Sequence, residues 1–288
     1  MRAIVYCFSL GLMSTLAVPP AASAAPRYDV SLTVQHEDNL TRAERKQDRL
    51  SDTALELAGS LSRPLVETAR STLLGDLGFS ARWWTEHPDV SQFSPELGLR
   101  YRLRLGPDFA APWLEAGATA RGIQTANSVI RDGVETRLGL TLGQRLLPTV
   151  EARVGYGWQL RRAEKTAVFD TENHEAFVQF DWHVDPRWLV YTGLTARTGD
   201  LVTVSSVPNK KALGSADAVT PGFDFAFDRS KRRAYRINGL ALLPELGVNY
   251  LLSDGWSLDL AGTGLVAEAD GDNRYHQFGV TASLLWRF

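Results

Sequence analysis

The last fourteen residues, Tyr275 to Phe288, read YHQFGVTASLLWRF. Taken two at a time they separate. The even positions are His276, Phe278, Val280, Ala282, Leu284, Trp286 and Phe288, apolar after the histidine; the odd ones are Tyr275, Gln277, Gly279, Thr281, Ser283, Leu285 and Arg287. Successive side chains of a strand point to opposite faces, so this pattern predicts a β-strand with one apolar face and one mostly polar face. The same division holds near the other end, where Tyr28, Val30, Leu32 and Val34 alternate with Asp29, Ser31, Thr33 and Gln35.

Followed through the chain, the period of two marks twelve segments, near 27–36, 52–62, 71–85, 93–105, 112–122, 133–146, 149–162, 174–185, 188–198, 234–252, 256–267 and 275–288. Their lengths suit tilted strands crossing a bilayer core, which takes about 9 to 11 residues. The connections alternate as well. Short ones, around Pro107-Asp108, Leu147-Pro148, Asp185-Pro186-Arg187 and Ser253-Asp254-Gly255, take turns with longer polar ones at 37–51, 86–92, 123–132, 163–173, 199–233 and 268–274. An even strand number, with short turns at one end and long loops at the other, predicts an all-β protein, a transmembrane up-and-down antiparallel β-barrel of 12 strands. A soluble β-sandwich would alternate too. Against it, the strand segments carry arginine but no lysine, and aromatics recur near strand ends: Tyr28, Trp83, Trp113, Trp158, Trp182, Trp188, Tyr250, Trp256, Tyr275, Trp286 and Phe288. Interfacial girdles place aromatics there, although Trp113 is out of phase with its strand.

Composition fits this reading. The chain is 288 residues, 44% apolar and 22% charged, with 31 basic and 33 acidic residues. That balance argues against a nucleic-acid binder, and no stretch after the N-terminal segment is apolar for the roughly 18 residues that a membrane-spanning helix needs. Residues 1–24 read as a signal peptide: Met1-Arg2, an apolar run to Val18, then Pro19-Pro20 and Ala22-Ser23-Ala24 as the cleavage site, which leaves 25–288 as the barrel. Cys7, the only cysteine, falls in that segment, so the exported chain has no disulfide or thiolate chemistry.

Phe288 at the terminus, with Trp286, Leu284, Ala282 and Val280 at every second position before it, resembles the assembly signal of bacterial outer-membrane β-barrel proteins. The resemblance implies recognition of this strand by the barrel-assembly machinery, a location in the cell outer membrane, and surroundings of outer-membrane lipid and lipopolysaccharide. It covers the whole exported chain in architecture, but only this strand in motif.

If the apolar face meets lipid, the other lines the lumen. On it lie Arg82, Arg100, Arg102, Arg104, Arg121, Arg137, Arg145, Arg153, Arg161, Arg197 and Arg287, together with Glu56, Asp76, Glu96, Glu115, Glu135, Glu151, Glu175, Asp181, Glu245 and Asp259. Two arrangements fit the near balance. Guanidinium and carboxylate can pair across strands and fill a narrow interior, or the arginines, concentrated on the fourth to seventh strands beside Gly98, Gly117, Gly139, Gly143, Gly155, Gly157 and Gly193, can line a track for an anion. The second is similar to the twelve-stranded porins that pass acidic oligosaccharides, though no sequence motif ties the chain to them. The expected function is a narrow passive channel for small anionic solutes. The alternative is a non-conducting structural or secretion-accessory barrel of an envelope or polysaccharide pathway, with a plugged lumen.

The loop at 199–233 is open to three readings: a constriction folded into the mouth, a basic patch meeting lipopolysaccharide, or a solvated loop. No enzyme is expected. Phospholipase-like and deacylase-like barrels need a serine two places after a histidine, and His36, His87, His174, His183 and His276 are followed at that spacing by Asp38, Asp89, Ala176, Asp185 and Phe278. An omptin-like site would draw on His87, His174, His276, Asp170, Asp270 and Asp272 at the rim. Asp270-Gly271-Asp272-Asn273 has oxygen ligands for calcium but reads better as a hairpin turn. No cofactor is implied.

Overall fold

Why the strands close into a ring is visible where the two ends of the chain meet. Tyr28 and Phe288 exchange backbone hydrogen bonds of 3.0 Å in both directions, and from there the first and last strands pair antiparallel, Val30 with Trp286 through Glu37 with Gly279. The computed structural model describes residues 26–227 and 231–288; the leader read at 1–24 lies outside them. Twelve long strands form the wall: β1 (Arg27–Glu37), β2 (Asp52–Glu67), β3 (Ser71–Trp84), β4 (Gln92–Arg104), β5 (Trp113–Thr125), β6 (Gly133–Leu147), β7 (Val150–Ala163), β8 (Thr171–His183), β9 (Trp188–Ser206), β11 (Arg232–Ser253), β12 (Trp256–Ala269) and β13 (Asn273–Arg287). Between β9 and β11 lie a short helix α1 (Lys210–Ser215) and a two-residue strand β10 (Ala218–Val219) that pairs with β11. Each wall strand pairs with its neighbours in sequence, β9 pairs with β11, and β13 returns to β1, so the wall has no free edge.

Alternation then decides what faces where. Leu32, Leu57, Leu77, Leu99, Leu140, Val154, Phe180, Leu194, Leu242, Leu260 and Val280 are exposed on the outside, while Glu56, Arg82, Glu135, Arg153, Gln179, Asp181 and Arg197 are buried within. At the short-turn end the outer aromatics touch from strand to strand. Tyr28 stacks on Phe288 at 5.3 Å, Trp286 lies 4.3 Å from Phe288 and 5.2 Å from Trp256, and Trp188 lies 4.5 Å from Tyr250. This is the girdle expected at a lipid–water boundary. Two aromatics assigned to it lie elsewhere. Tyr275 is inside, 3% exposed and packed among Leu265, Ala267 and Ile237; its odd position on β13 puts it on the inner face. Trp113 is the first residue of β5 and also points inward, its ring lying over Gly143, where any Cβ would collide with it, and 4.4 Å from the Arg102 guanidinium.

The 199–233 loop is shorter than its sequence suggests, because β9 runs on to Ser206 and β11 begins at Arg232. The extended hairpin changes course at the facing pair Gly199 and Gly239. Gly199 has φ +127°, and a Cβ on either residue would strike a carbonyl oxygen, of Glu172 or Glu268, so only glycine fits there. Beyond this bend one face of the hairpin, through Leu201, Tyr235 and Ile237, packs on α1 and on inner residues of β11–β13; the other, through Val202, Val204 and Ala234, joins a second cluster. That cluster adds Phe227 of the same loop to Leu40, Trp84, Val90, Val168 and Phe169 from the other long loops and the strand ends beneath them, with Val168, Phe169 and Phe227 fully buried. Of the three readings of this loop, the structure shows the first: it is folded into the mouth.

Polar contacts tie the loops into one cap. The Val204 amide donates to the carbonyl of Thr41 at 2.9 Å, Arg45 donates to the carbonyls of Ser206 and Pro208, and the Asp48 carboxylate accepts from the Ser206 amide and hydroxyl. Arg236 donates to the carbonyls of Ala167 and Asp170. Arg131 makes a bidentate ion pair with Asp224 in the fully covered interior of the cap, its guanidinium sandwiched 4.9 Å from Phe169 and 5.0 Å from Phe227. Asp52 accepts from the Thr85 hydroxyl at 2.8 Å, from the Glu86 amide at 3.1 Å, and from both the amide and the ring of His87 at 2.9 and 3.0 Å.

Two outcomes follow for the cap. Replacing Phe227 with alanine removes a ring from its centre at a cost of about 3 to 5 kcal/mol. Cleavage by trypsin after Lys210 and Lys211 is expected to accelerate while the barrel keeps its folded mobility in unheated gels; an unchanged rate would show that the ring does not hold the cap. Acidity acts in the same direction. Burial pushes the Asp224 carboxyl up, but the charge and hydrogen bonds of Arg131, with the Ala226 amide, outweigh it, so it is held below the ordinary value. A depressed carboxyl stabilises the folded form above its unfolded pKa, about 3.9 for aspartate, and that contribution disappears as the pH falls through the folded value. Protection of the 222–227 amides, taken relative to their intrinsic exchange rate at each pH, is therefore expected to be high at pH 6 and to fall steeply below about pH 4.

Candidate functional site

The lumen collects the charged residues that alternation directs inward. Every strand from β2 to β9 contributes at least one ionisable side chain to it, and most are matched across the sheet. Arg82 Nε donates to Glu56 at 2.6 Å; Arg100 grips Asp76 with two bonds of 2.8 and 2.7 Å; Arg102 holds Glu115 at 2.9 Å; Arg121 Nε meets Glu96 at 2.7 Å. Arg137 reaches Glu135 at 3.0 Å, Arg197 reaches Glu175 at 2.6 Å, Arg153 pairs with Asp181, and Arg287 meets Asp29 at 3.2 Å. Register explains the partners: Glu56 faces Arg82, Glu96 faces Arg121, Arg102 faces Glu115 and Glu175 faces Arg197 directly across neighbouring strands. Asp76 and Arg100 are diagonal neighbours, since Asp76 faces Gly98. Hydroxyls and amides extend the network, with Ser62 donating to Asp76 at 2.5 Å and Gln159 to Glu135 at 2.6 Å.

Three of the arginines read as lumen residues lack a carboxylate partner within salt-bridge distance among the described residues. Arg104, the last residue of β4, is exposed at the short-turn rim; Arg145 lies near that rim with its guanidinium 4.0 Å over the Phe109 ring. Arg161 is buried at the opposite end beneath the cap, where its Nη2 donates to the carbonyl of Arg131 at 2.5 Å. The paired arrangement is thus the one present along most of the wall, and Arg161, without a salt bridge, still faces Glu135 across the β6–β7 pair.

Solvent access is graded along the β2–β5 wall. The Arg102 side chain, near the short-turn end, is 33% exposed, Arg100 is 22% exposed, and Arg82, under the cap, only 8%. On that wall side-chain exposure falls from the short-turn end toward the long loops. The opposite wall is less polar: Tyr191 fills its lower part and donates to Asp259 at 2.9 Å, while Ala241, Leu243, Leu265 and Ala267 are inner residues of the apolar cluster above.

The rim groups considered for catalysis are not brought together. His87 is buried on Asp52, His174 points outward and bonds to the Tyr156 hydroxyl at 2.5 Å, and His276 meets Arg49 at 3.0 Å. Asp170 accepts from the Ala163 amide. Residues 270–272 form a tight hairpin turn with Gly271 at φ 70° and Asp272 at φ 58°, and among the described residues no cluster of three or more His, Cys, Asp or Glu is placed to hold a metal.

No protein-family profile matches the chain, and a search of curated proteins finds no relative. Similarity appears only in the fold. The KdgM porin in complex with disordered oligogalacturonate shares 9% identity, with 90% of this chain and 99% of that one covered, at a TM-score of 0.50. The NanC porin shares 8%, with 89% and 98% covered, at 0.51; an outer membrane channel from Pseudomonas putida F1 shares 12%, with 93% and 97% covered, at 0.59. The chain has the fold of the bacterial outer-membrane β-barrels, in a closed form of twelve strands.

Proposed function

We propose that the protein is a narrow passive channel of the bacterial outer membrane for small anionic solutes. The observation that carries this reading is the arginine-lined lumen, in which the Arg102 side chain near the short turns is more exposed than Arg100 and Arg82 toward the cap, and Arg104 at that rim has no salt-bridge partner among the described residues. A confined lumen with uncompensated guanidinium charge raises the local concentration of anions and repels cations. In this reading the short turns and both termini of the chain face the periplasm, the cap faces outward, and the cap opens for a solute to pass. The alternating apolar face of β13, Val280 to Phe288, serves the barrel-assembly machinery, and the outer rim meets lipopolysaccharide. The fold likeness to two porins and a channel supports transport as the class. Its low identity leaves the solute to be found by experiment.

One observation favours a second reading. The cap has its own apolar core and a buried ion pair, Arg131 with Asp224, and breaking such a pair costs about 3 to 5 kcal/mol. A mouth closed this firmly suits a structural or secretion-accessory barrel that never conducts. Planar bilayers separate the two. The channel reading expects small stepwise currents with reversal potentials favouring chloride; silence at every applied potential would overturn it. Arg102→Gln with Arg121→Gln leaves Glu115 and Glu96 without their cations, so the double variant is expected to shift selectivity toward potassium. An unchanged reversal potential would mean that these arginines do not face the ion path.

A further inference from the structure

Two ladders of the wall stop at the same level. β8 pairs with β9 as far as Asn173 opposite Gly199, and β12 pairs with β11 as far as Ala269 opposite Gly239, with one further bond from the Asp270 amide to the Asn238 carbonyl at 2.9 Å. Above that level β9 and β11 have left both neighbours and run on together as a ribbon of seven facing pairs, from Asp200 with Asn238 to Ser206 with Arg232. The point of departure is the facing pair Gly199 and Gly239. Glycine reaches backbone conformations closed to other residues, so a ribbon that leaves the barrel at two facing glycines can turn there.

The ribbon is the frame of a larger body, held together mainly by its backbone. β10 places Ala218 and Val219 opposite Arg236 and Tyr235, and the amides of Asp217, Thr220 and Asp224 donate to the carbonyls of Arg236, Ala234 and Arg232 at 2.9, 3.0 and 2.8 Å. α1 is tied on through Asn209, whose side chain accepts from the Ala212 amide and donates to the Ser205 hydroxyl.

Attachments from this body to the rest of the rim are of another kind. Beyond the hinge, a backbone bond joins the Val204 amide to the Thr41 carbonyl, and side chains supply the ties to the other loops. Arg45 donates to the carbonyls of Ser206 and Pro208, Arg236 to those of Ala167 and Asp170, Lys211 pairs with Glu44 at 2.6 Å, and Asn273 donates to the Ser215 hydroxyl at 2.8 Å. Exposed side-chain contacts each add little net stability, whereas a ladder is lost only as a unit. The body therefore parts from the rim before it comes apart itself.

We propose that the upper halves of β9 and β11, with β10 and α1, form a rigid lid that swings about the Gly199–Gly239 pair while the loops after β1, β3, β5 and β7 stay on the rim. The lid is the moving part of the cap, and its opening uncovers the head of the lumen. The inference rests on the channel reading for the purpose of the motion, but the motion itself is tested without current.

The only cysteine, Cys7, lies in the segment read as a leader, so introduced thiols can be labelled singly in the full exported chain refolded in detergent. Spin labels on Lys210→Cys and Glu86→Cys measure lid against rim; labels on Glu86→Cys and Lys165→Cys measure rim against rim. Arg45→Ala removes a tie between the two bodies and touches neither label pair. Pulsed dipolar spectroscopy is expected to show a second, longer distance for the lid pair, its population raised at least threefold by Arg45→Ala, while the rim pair keeps a single distance. A lid pair that stays fixed in both proteins would overturn the proposal, as would lid and rim pairs that broaden together, because the loops would then loosen as one. A lock separates gate from channel. Ser215→Cys with Asn273→Cys puts two thiols where the native side chains touch, and the oxidised pair is expected to cut bilayer current at least tenfold, with recovery on reduction. Undiminished current through the oxidised pair would overturn the lid as the gate and leave the channel reading standing; a lid that moves in a protein passing no current would do the reverse.

Discussion

A strand in lipid has no water with which to pair its N–H and C=O groups, so each must find a partner on a neighbouring strand. In this chain the requirement is met only when β13 reaches back to β1, and Tyr28 and Phe288 complete the ring with reciprocal hydrogen bonds. Closure in turn fixes the faces. With register locked on both sides of every strand, a side chain is either in lipid or in the lumen, and a one-residue slip would exchange the two sets entirely. The arginines and carboxylates stand inside because no outward position would hold them. Most then pair with the residue opposite, as Arg82 does with Glu56 and Arg197 with Glu175, because a charge in a confined space is stable only when matched.

The same logic sets the cap apart from the wall. Paired charges fill the lumen sideways, but the ring has two open ends, and the ends differ. At the short-turn end Arg102 is partly exposed. At the other, the bend at Gly199 and Gly239 turns a long hairpin across the mouth, and the loops from β1, β3, β5 and β7 close around Phe227 and Phe169. A soluble-type apolar core thus sits on top of a membrane barrel. It is held by a few directional contacts, Arg131 with Asp224 and Asp52 with the 85–87 segment, that depend on ionised carboxylates.

Strand number and strand faces were legible in the sequence because they follow from a period of two, which any single strand displays. Trp113 and Tyr275 were misplaced for a related reason. Aromatic residues near strand ends suggest an interface, yet their parity already put both on the inner face, and Gly143 makes room for the first of them. Which carboxylate each arginine holds needs the register between strands, and no pattern within one strand carries that. The cap was not legible. Leu40, Val90, Val168 and Phe227 come from four separate loops with no shared period, and Arg42 takes a left-handed turn that an Asn-Leu-Thr-Arg stretch does not announce. Asn39 three residues ahead of it, bracketing Ala43, is the one local signal of such a turn.

The central claim is that a polar lumen opens toward the short turns and is sealed by the cap at the other end. Cys7 is the only cysteine in the chain and belongs to the segment read as a leader, so a single introduced thiol reports its own accessibility. Ser60 is half-buried on the inner wall of β2, below the Glu56–Arg82 pair. With Ser60→Cys in living cells, a membrane-impermeant maleimide added outside is predicted to leave the thiol unlabelled, and to label it readily once the outer membrane is permeabilised and the reagent reaches the periplasmic side. Equal labelling from outside in intact cells would contradict the account, because the cap would then not close the barrel.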